Sequence, residues 1–245
     1  MTNEASAGAE PAPGFFSILT NLYIAPSEAF AAILKRPSVW APLLLVMALN
    51  ATFTAIWLQK VDSEGFMKAR LEESKQGREM PSEQRAQVIE QQAKALPYLA
   101  WTGPVVAGVI VAIMAGALVF VFRFFYSSEV TFKQGFSMTG WVFVAVSLVS
   151  LPLLLLVIHL KDDWTLNPQD VLQANPSLFV AREDVPAFLY SLLGSLDLFS
   201  FWMIGLLAVG FGLASRRTFG SALTGVVIPW AIYVLGKAAL SGLFG

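Results

Sequence analysis

Two ionisable side chains, Asp197 and Lys237, interrupt long apolar stretches of this chain. A turn centred near Arg217 puts each of them twenty residues away along opposite arms. At a rise of about 1.5 Å per residue, both then stand about 30 Å along their helices, at matching depth. A charge at bilayer depth costs roughly 2.5–3.5 kcal/mol on insertion scales, so each needs a partner or a purpose. The spacing predicts that the two residues pair. Such a pair either fixes the register of an antiparallel hairpin or serves the movement of ions, protons or lipid headgroups. Asn50, in an earlier apolar stretch, is a candidate for a helix–helix hydrogen bond, a contribution of about 0.6 kcal/mol.

The chain offers little else to a reaction. His159 is the single histidine and cysteine is absent, which removes thiolate nucleophiles, disulfides and His/Cys metal sites together. No serine sits in a Gly-x-Ser-x-Gly elbow. Catalytic, cofactor-binding and metal-binding residues are therefore not expected, and the chain reads as a non-enzyme. A net charge of −1 without a basic cluster gives nucleic acid no footprint. The expected partners are membrane lipids, with a protein partner or a second copy of the chain as further possibilities.

The elements that must position these residues are legible from hydropathy. Residues 39–58, 98–125, 136–160, 186–214 and 219–243 form five apolar stretches, against about 20 residues needed to cross the hydrocarbon. With 56% hydrophobic and 13% charged residues, the chain takes the bilayer as its solvent. Backbone groups in lipid must be satisfied within their own segment, and the stretches lack the alternation of barrel strands. The expected fold is all-α, a polytopic transmembrane bundle of five membrane-spanning helices forming one membrane domain over residues 14–245. Gly108, Ala112 and Gly116 recur at spacing four, and Gly205, Gly210 and Gly212 thin another face, so both stripes are expected at close helix contacts. Pro104, Pro152 and Pro229 are expected to kink three spans. Trp40, Trp57, Trp101 and Trp164 fit an aromatic belt, whereas Trp141, Trp202 and Trp230 fall deeper.

Outside the spans, residues 1–13 are rich in Ala, Pro and Gly, carry no Lys or Arg, and read as a disordered start rather than a secretory signal. The first span is then an uncleaved anchor. Phe15, Ile18, Leu19 and Leu22 make an amphipathic stripe, followed past Pro26 by Phe30, Ile33 and Leu34. Both stripes are too short to span and are expected to lie in the membrane interface as amphipathic helices, the alternative being helices packed on the end of the bundle. The segment from Lys60 to Leu96 balances seven Lys or Arg against seven Asp or Glu and reads as a helical extramembrane hairpin broken at Gly77. The connection from Lys161 to Val185, with Asn167-Pro168 and Asn175-Pro176, reads as an ordered loop without strands.

Orientation follows less directly. With the N-terminus cytoplasmic, six of the sixteen Lys and Arg lie inside and ten outside, against the positive-inside rule. Seven of those ten sit in the charge-balanced 60–96 segment, which can cross as a small domain, and an N-inside arrangement is preferred.

The string SLDLFSFW at Ser195–Trp202, followed by Gly205, Gly210 and Gly212, resembles the bacterial branch of the Yip1-domain family. IAPSEAF at Ile24–Phe30, RPSVWAPLLL at Arg36–Leu45, TFKQGFS at Thr131–Ser137 and LNPQDVLQANPSLF at Leu166–Phe179 agree with it. None of these motifs is catalytic. The resemblance implies a five-span bundle in a bacterial inner membrane, with the N-terminus cytoplasmic. Eukaryotic relatives serve vesicle traffic and bind Rab GTPases. This chain lacks their Asp-Leu-Tyr-Gly-Pro motif and carries the 60–96 insertion instead, so the resemblance implies the fold without the trafficking role.

Overall fold

The computed structural model describes residues 14–172, 175–182 and 184–244, all helix and connecting loop without strands. The disordered start expected for residues 1–13 lies outside the described residues. Five helices are long and apolar enough to cross a membrane: α3 (Trp40–Leu58), α7 (Gly103–Tyr126), α8 (Phe132–Lys161), α11 (Leu198–Ser215) and α12 (Phe219–Phe244). Around them lie α1 (Phe15–Ile24), α2 (Pro26–Lys35), α4 (Ser63–Glu73), α5 (Lys75–Glu79), α6 (Ser82–Ala100), the single turn α9 (Pro168–Val171), a 3₁₀ turn at Pro176–Phe179 and α10 (Ala187–Gly194).

Helix α8 is the central post. Its N-terminus is fixed by a reciprocal capping box, in which Thr131 Oγ1 accepts the Gln134 N–H and Gln134 Oε1 accepts the Thr131 N–H. Helices α3, α7 and α11 pack on it, and Met138, Val142, Val144 and Ala145 are wholly buried between them. Glycines set these approaches, since lipid supplies no hydrophobic drive between helices and close backbone contact must do so. A Cβ at Gly140 would lie 2.8 Å from Pro42 Cβ, one at Gly108 2.9 Å from Leu43, and one at Gly210 2.9 Å from the Phe30 ring. The outward faces stay apolar, with Ile113, Phe120, Phe124, Ile232 and Leu240 exposed toward lipid.

The two N-terminal helices do more than float at the interface. Leu22, Ala29, Phe30 and Ile33 are buried in the main core, and α2 lies against α11 and α8. The Tyr23 hydroxyl donates to the Ala145 carbonyl at 2.7 Å, and its ring lies 5.7 Å from that of Trp202. Ala145 is thirteen residues into α8, about 20 Å from that helix's start. The corner between α1 and α2 therefore reaches well down the bundle, and packing on the bundle is the arrangement found.

The 60–96 segment is helical throughout, but its breaks differ from the expected one. Ser74 separates α4 from α5 and caps the latter, its Oγ accepting the Gly77 N–H at 3.0 Å. Gly77 lies inside α5, where a Cβ would meet the Leu71 carbonyl, so its role is close approach rather than a break. A second cluster of Trp57, Phe66, Leu96, Leu154 and Ile158 clamps α4 and α6 onto the far ends of α3 and α8. Trp57, expected in the interfacial belt, is buried there with its ring edge-on to Phe66 at 5.1 Å. Trp40 and Trp101 are exposed as a belt requires.

Two further expectations are corrected. Pro104 occupies the first turn of α7, where its missing N–H has no intrahelical acceptor to lose, so it introduces no kink. The stretch expected as one fourth span over 186–214 is two helices, α10 and α11, separated at Ser195–Asp197.

Candidate functional site

Helix α11 begins at Leu198 because Asp197 caps it. The Asp197 carboxylate accepts the Ser200 N–H at 3.0 Å and also the Ser200 hydroxyl, satisfying helix donors that would otherwise be orphaned. The Lys237 ammonium donates instead to Ser195 Oγ at 3.3 Å. The expected Asp197–Lys237 ion pair is thus not formed, since each charge has its own neutral partner. Eighteen residues of α11 measure about 27 Å, close to the hydrocarbon thickness of about 30 Å. Both residues therefore stand at the membrane boundary remote from Arg217, where a charge needs no ionic partner.

Asn50 is likewise corrected: its side-chain amide donates to the Val46 carbonyl of its own helix at 2.9 Å. Of the expected packing positions, Gly108 meets α3, whereas Gly116 has only a distant Phe132 carbon, 3.9 Å from a Cβ built there. Ala112 is half-buried at the edge of the main core, and Gly205 faces open space. The buried line of α7 runs through Gly108, Val111, Ala115, Leu118 and Phe122. Gly135, Gly140 and Gly225 also sit at close contacts, where a Cβ would overlap Val119 at the first and lie 2.8 and 3.0 Å from a neighbour at the other two, and the small-residue pattern alone did not distinguish them.

His159 is exposed near the end of α8, and among the described residues no three His, Cys, Asp or Glu converge as a metal site would require. In the loop that follows, the Thr165 hydroxyl and N–H both donate to Asp163, at 2.6 and 2.9 Å. These bonds hold the Asp163 carboxyl below its ordinary range.

Two features have the form of sites. One is a groove of about 510 Å³ between α7, α11 and α12, floored by Phe143 of α8 and lined by Ile113, Met203, Pro229, Trp230 and Tyr233. Its walls are almost entirely apolar, and its size falls within the ordinary range of small-molecule sites. The other is the outer surface of α4–α6, where Lys68, Arg70, Glu72, Arg78, Glu83, Glu90 and Lys94 are exposed. Glu90 and Lys94 form an ion pair at 2.6 Å, which lowers the carboxyl and raises the ammonium from their usual ranges. The groove was readable only in part: Val226, Trp230 and Tyr233, which line it, fall at i, i+4 and i+7 on one face of α12, and Lys237 continues that face at i+11 beyond the lining. Its facing wall comes from tertiary packing.

Five crossing helices around a glycine-lined core define a multi-pass α-helical integral membrane protein. The chain belongs to the Yip1 domain family, whose model matches residues 20–240, nearly its whole length. Comparison with curated proteins gave no match, and neither did comparison with solved structures.

Proposed function

We propose that this protein is a non-enzymatic scaffold or adaptor that organises a bacterial inner membrane, with its N-terminus cytoplasmic. The observation that carries the reading is the clamped extramembrane unit. Phe66 and Leu96 seat α4 and α6 against Trp57, Leu154 and Ile158, so a charged surface of both signs is held at a fixed height over the bundle. A surface already immobilised loses less entropy on docking a partner than a mobile loop does. Exposed charges around it set partner choice and encounter rate more than raw affinity. A translocating role rested on an intramembrane Asp197–Lys237 pair, and these residues bond separately to Ser200 and Ser195.

Purified protein reconstituted into liposomes tests the reading. A scaffold leaves ion and fluorescent-lipid flux at the protein-free level. In cells, photo-crosslinkers at Gln87 and Gln91, both exposed on α6, yield one discrete adduct that disappears when Glu83 and Glu90 are changed to Lys. Flux well above the protein-free level, or adducts indifferent to those charges, would overturn it.

A further inference from the structure

We propose that the groove between α7 and α12 is a binding site for one anionic phospholipid, with its phosphate at Lys237 and an acyl chain in the groove. The length of the groove, about 14 Å by helix rise, is close to the depth of one leaflet. Val226 and Tyr233 lie seven and fourteen residues into α12, and Leu118 and Ile110 eight and sixteen residues from the end of α7. These place the groove from about 10 to about 24 Å from the Arg217 end. A leaflet of hydrocarbon is about 15 Å deep, half of about 30 Å. The groove therefore begins about 5 Å on the Arg217 side of the bilayer midplane and extends to within about 6 Å of the surface remote from Arg217.

At that surface stands Lys237. It is exposed, eighteen residues into α12 and so about 27 Å along it. On a helix of about 3.6 residues per turn it stands directly above Tyr233, Trp230 and Val226, which line the groove. Its bond to Ser195 Oγ is made by one of three ammonium donors, and Asp197, the nearby carboxylate in sequence, is occupied by Ser200. Among the described residues the ammonium thus has no anionic partner and only the Ser195 bond, one turn beyond a slot with apolar walls. Tyr233, one turn below it and exposed, adds a phenol to the wall of the groove. A cation over an acyl-sized apolar slot favours an anionic phospholipid over a zwitterionic one, whose own headgroup cation offsets its phosphate. A transmembrane helix from a second copy would fill the slot without using Lys237.

The absence of cysteine permits a direct test. A single cysteine replacing Ile113, which lines the groove and is 66% exposed, carries a fluorophore. A second protein carries it in place of Ile232, on another face of α12 and 67% exposed. Both are reconstituted into vesicles in which brominated phosphatidylglycerol or brominated phosphatidylcholine is the quencher. The Ile113 label should prefer the anionic lipid by roughly five-fold, the scale of one lysine at an anionic headgroup. The preference should vanish in Lys237→Ala and survive in Lys237→Arg, while the Ile232 label shows none. Equal quenching at Ile113 by the two lipids, or a preference that persists in Lys237→Ala, would overturn the proposal. So would a label shielded from both lipids in a cross-linkable dimer. Thermal unfolding of each variant, unchanged from wild type, excludes loss of fold as the cause.

Discussion

Replacing Gly140 by Ala should loosen the α3–α8 contact on which the bundle is built. The added carbon would lie 2.8 Å from Pro42 Cβ and 3.0 Å from Pro42 Cγ, against an optimum of about 3.5–4.0 Å between carbons. Neither partner can swing aside, because the proline ring is rigid and belongs to the first turn of α3. The helices must separate by about 0.7–1.2 Å, the difference between those distances. Overpacking of that kind costs roughly 1–3 kcal/mol. The gain in helix propensity, about 1 kcal/mol for Gly to Ala, obscures part of the loss in a single comparison. Gly205→Ala supplies the reference, because a Cβ at Gly205 meets nothing within 4 Å and takes the same propensity gain. Reversible unfolding in mixed detergent micelles should therefore rank Gly205→Ala above Gly140→Ala by roughly 1–3 kcal/mol. Equal stabilities, or the opposite order, would refute the assignment of Gly140 to a tight backbone contact.

Four other outcomes follow from the same structure. Exchanging the charges in Asp197→Lys with Lys237→Asp should fail to rescue either single variant, with a coupling below about 0.5 kcal/mol, because the residues use separate partners; recovery in the double variant would restore the pair. Asp197→Ala alone should lose about 1 kcal/mol of unfolding free energy as a missing cap, and Asp197→Asn much less. Tyr23→Phe removes the hydroxyl bonded to Ala145 and should cost about 0.6–1.7 kcal/mol in the same unfolding assay, whereas no loss would detach α1 from the bundle's stability. Asp163 has a depressed carboxyl, so its contribution is fully present above the unfolded value of about 3.9 and is lost as pH falls through the lower folded value. The stability advantage of wild type over Thr165→Val should accordingly shrink on acidification through that window and be constant near neutrality.

The spans were legible in the sequence because hydropathy is a local property, and all five stretches contain a crossing helix. Their boundaries were less so. Apolar content near Tyr98 and Pro186 extended two stretches into α6 and α10, which belong to the surface beyond the bundle. Asp197 shows how one residue invites two readings: as a charge in an oily run it calls for a counter-ion, but Asp followed three positions later by Ser200 is also a helix start. Capping prevailed because it satisfies the carboxylate within four residues, without waiting for another helix to arrive. Asn50 was misread for the same reason, since the Val46 carbonyl is always within its reach. Conversely, nothing local announces that Phe30 will fill the notch at Gly210. That contact joins residues 180 positions apart, and only the folded bundle creates it.

The groove itself follows from how α12 is held at its two ends. Near Arg217 it is tied to α7: the Arg217 guanidinium donates to the last carbonyl of α7 at Tyr126, 2.9 Å away, and the Tyr126 hydroxyl donates to the Ser221 carbonyl. Gly225 lets the Phe122 ring approach, since a Cβ there would stand only 3.0 Å from it. Toward the other end α12 turns its attention to α10, with Ser241 Oγ donating to the Ala187 carbonyl at 3.4 Å and Gly242 lying against Phe188. Tied to α7 at one end and to α10 at the other, α12 parts from α7 along its length. The gap opens where Ile113 and Tyr233 face each other across the slot. The cap at Asp197 starts α11 apart from α10, which ends at Gly194, so the residue first expected to pair with Lys237 instead helps to set where α10 meets α12.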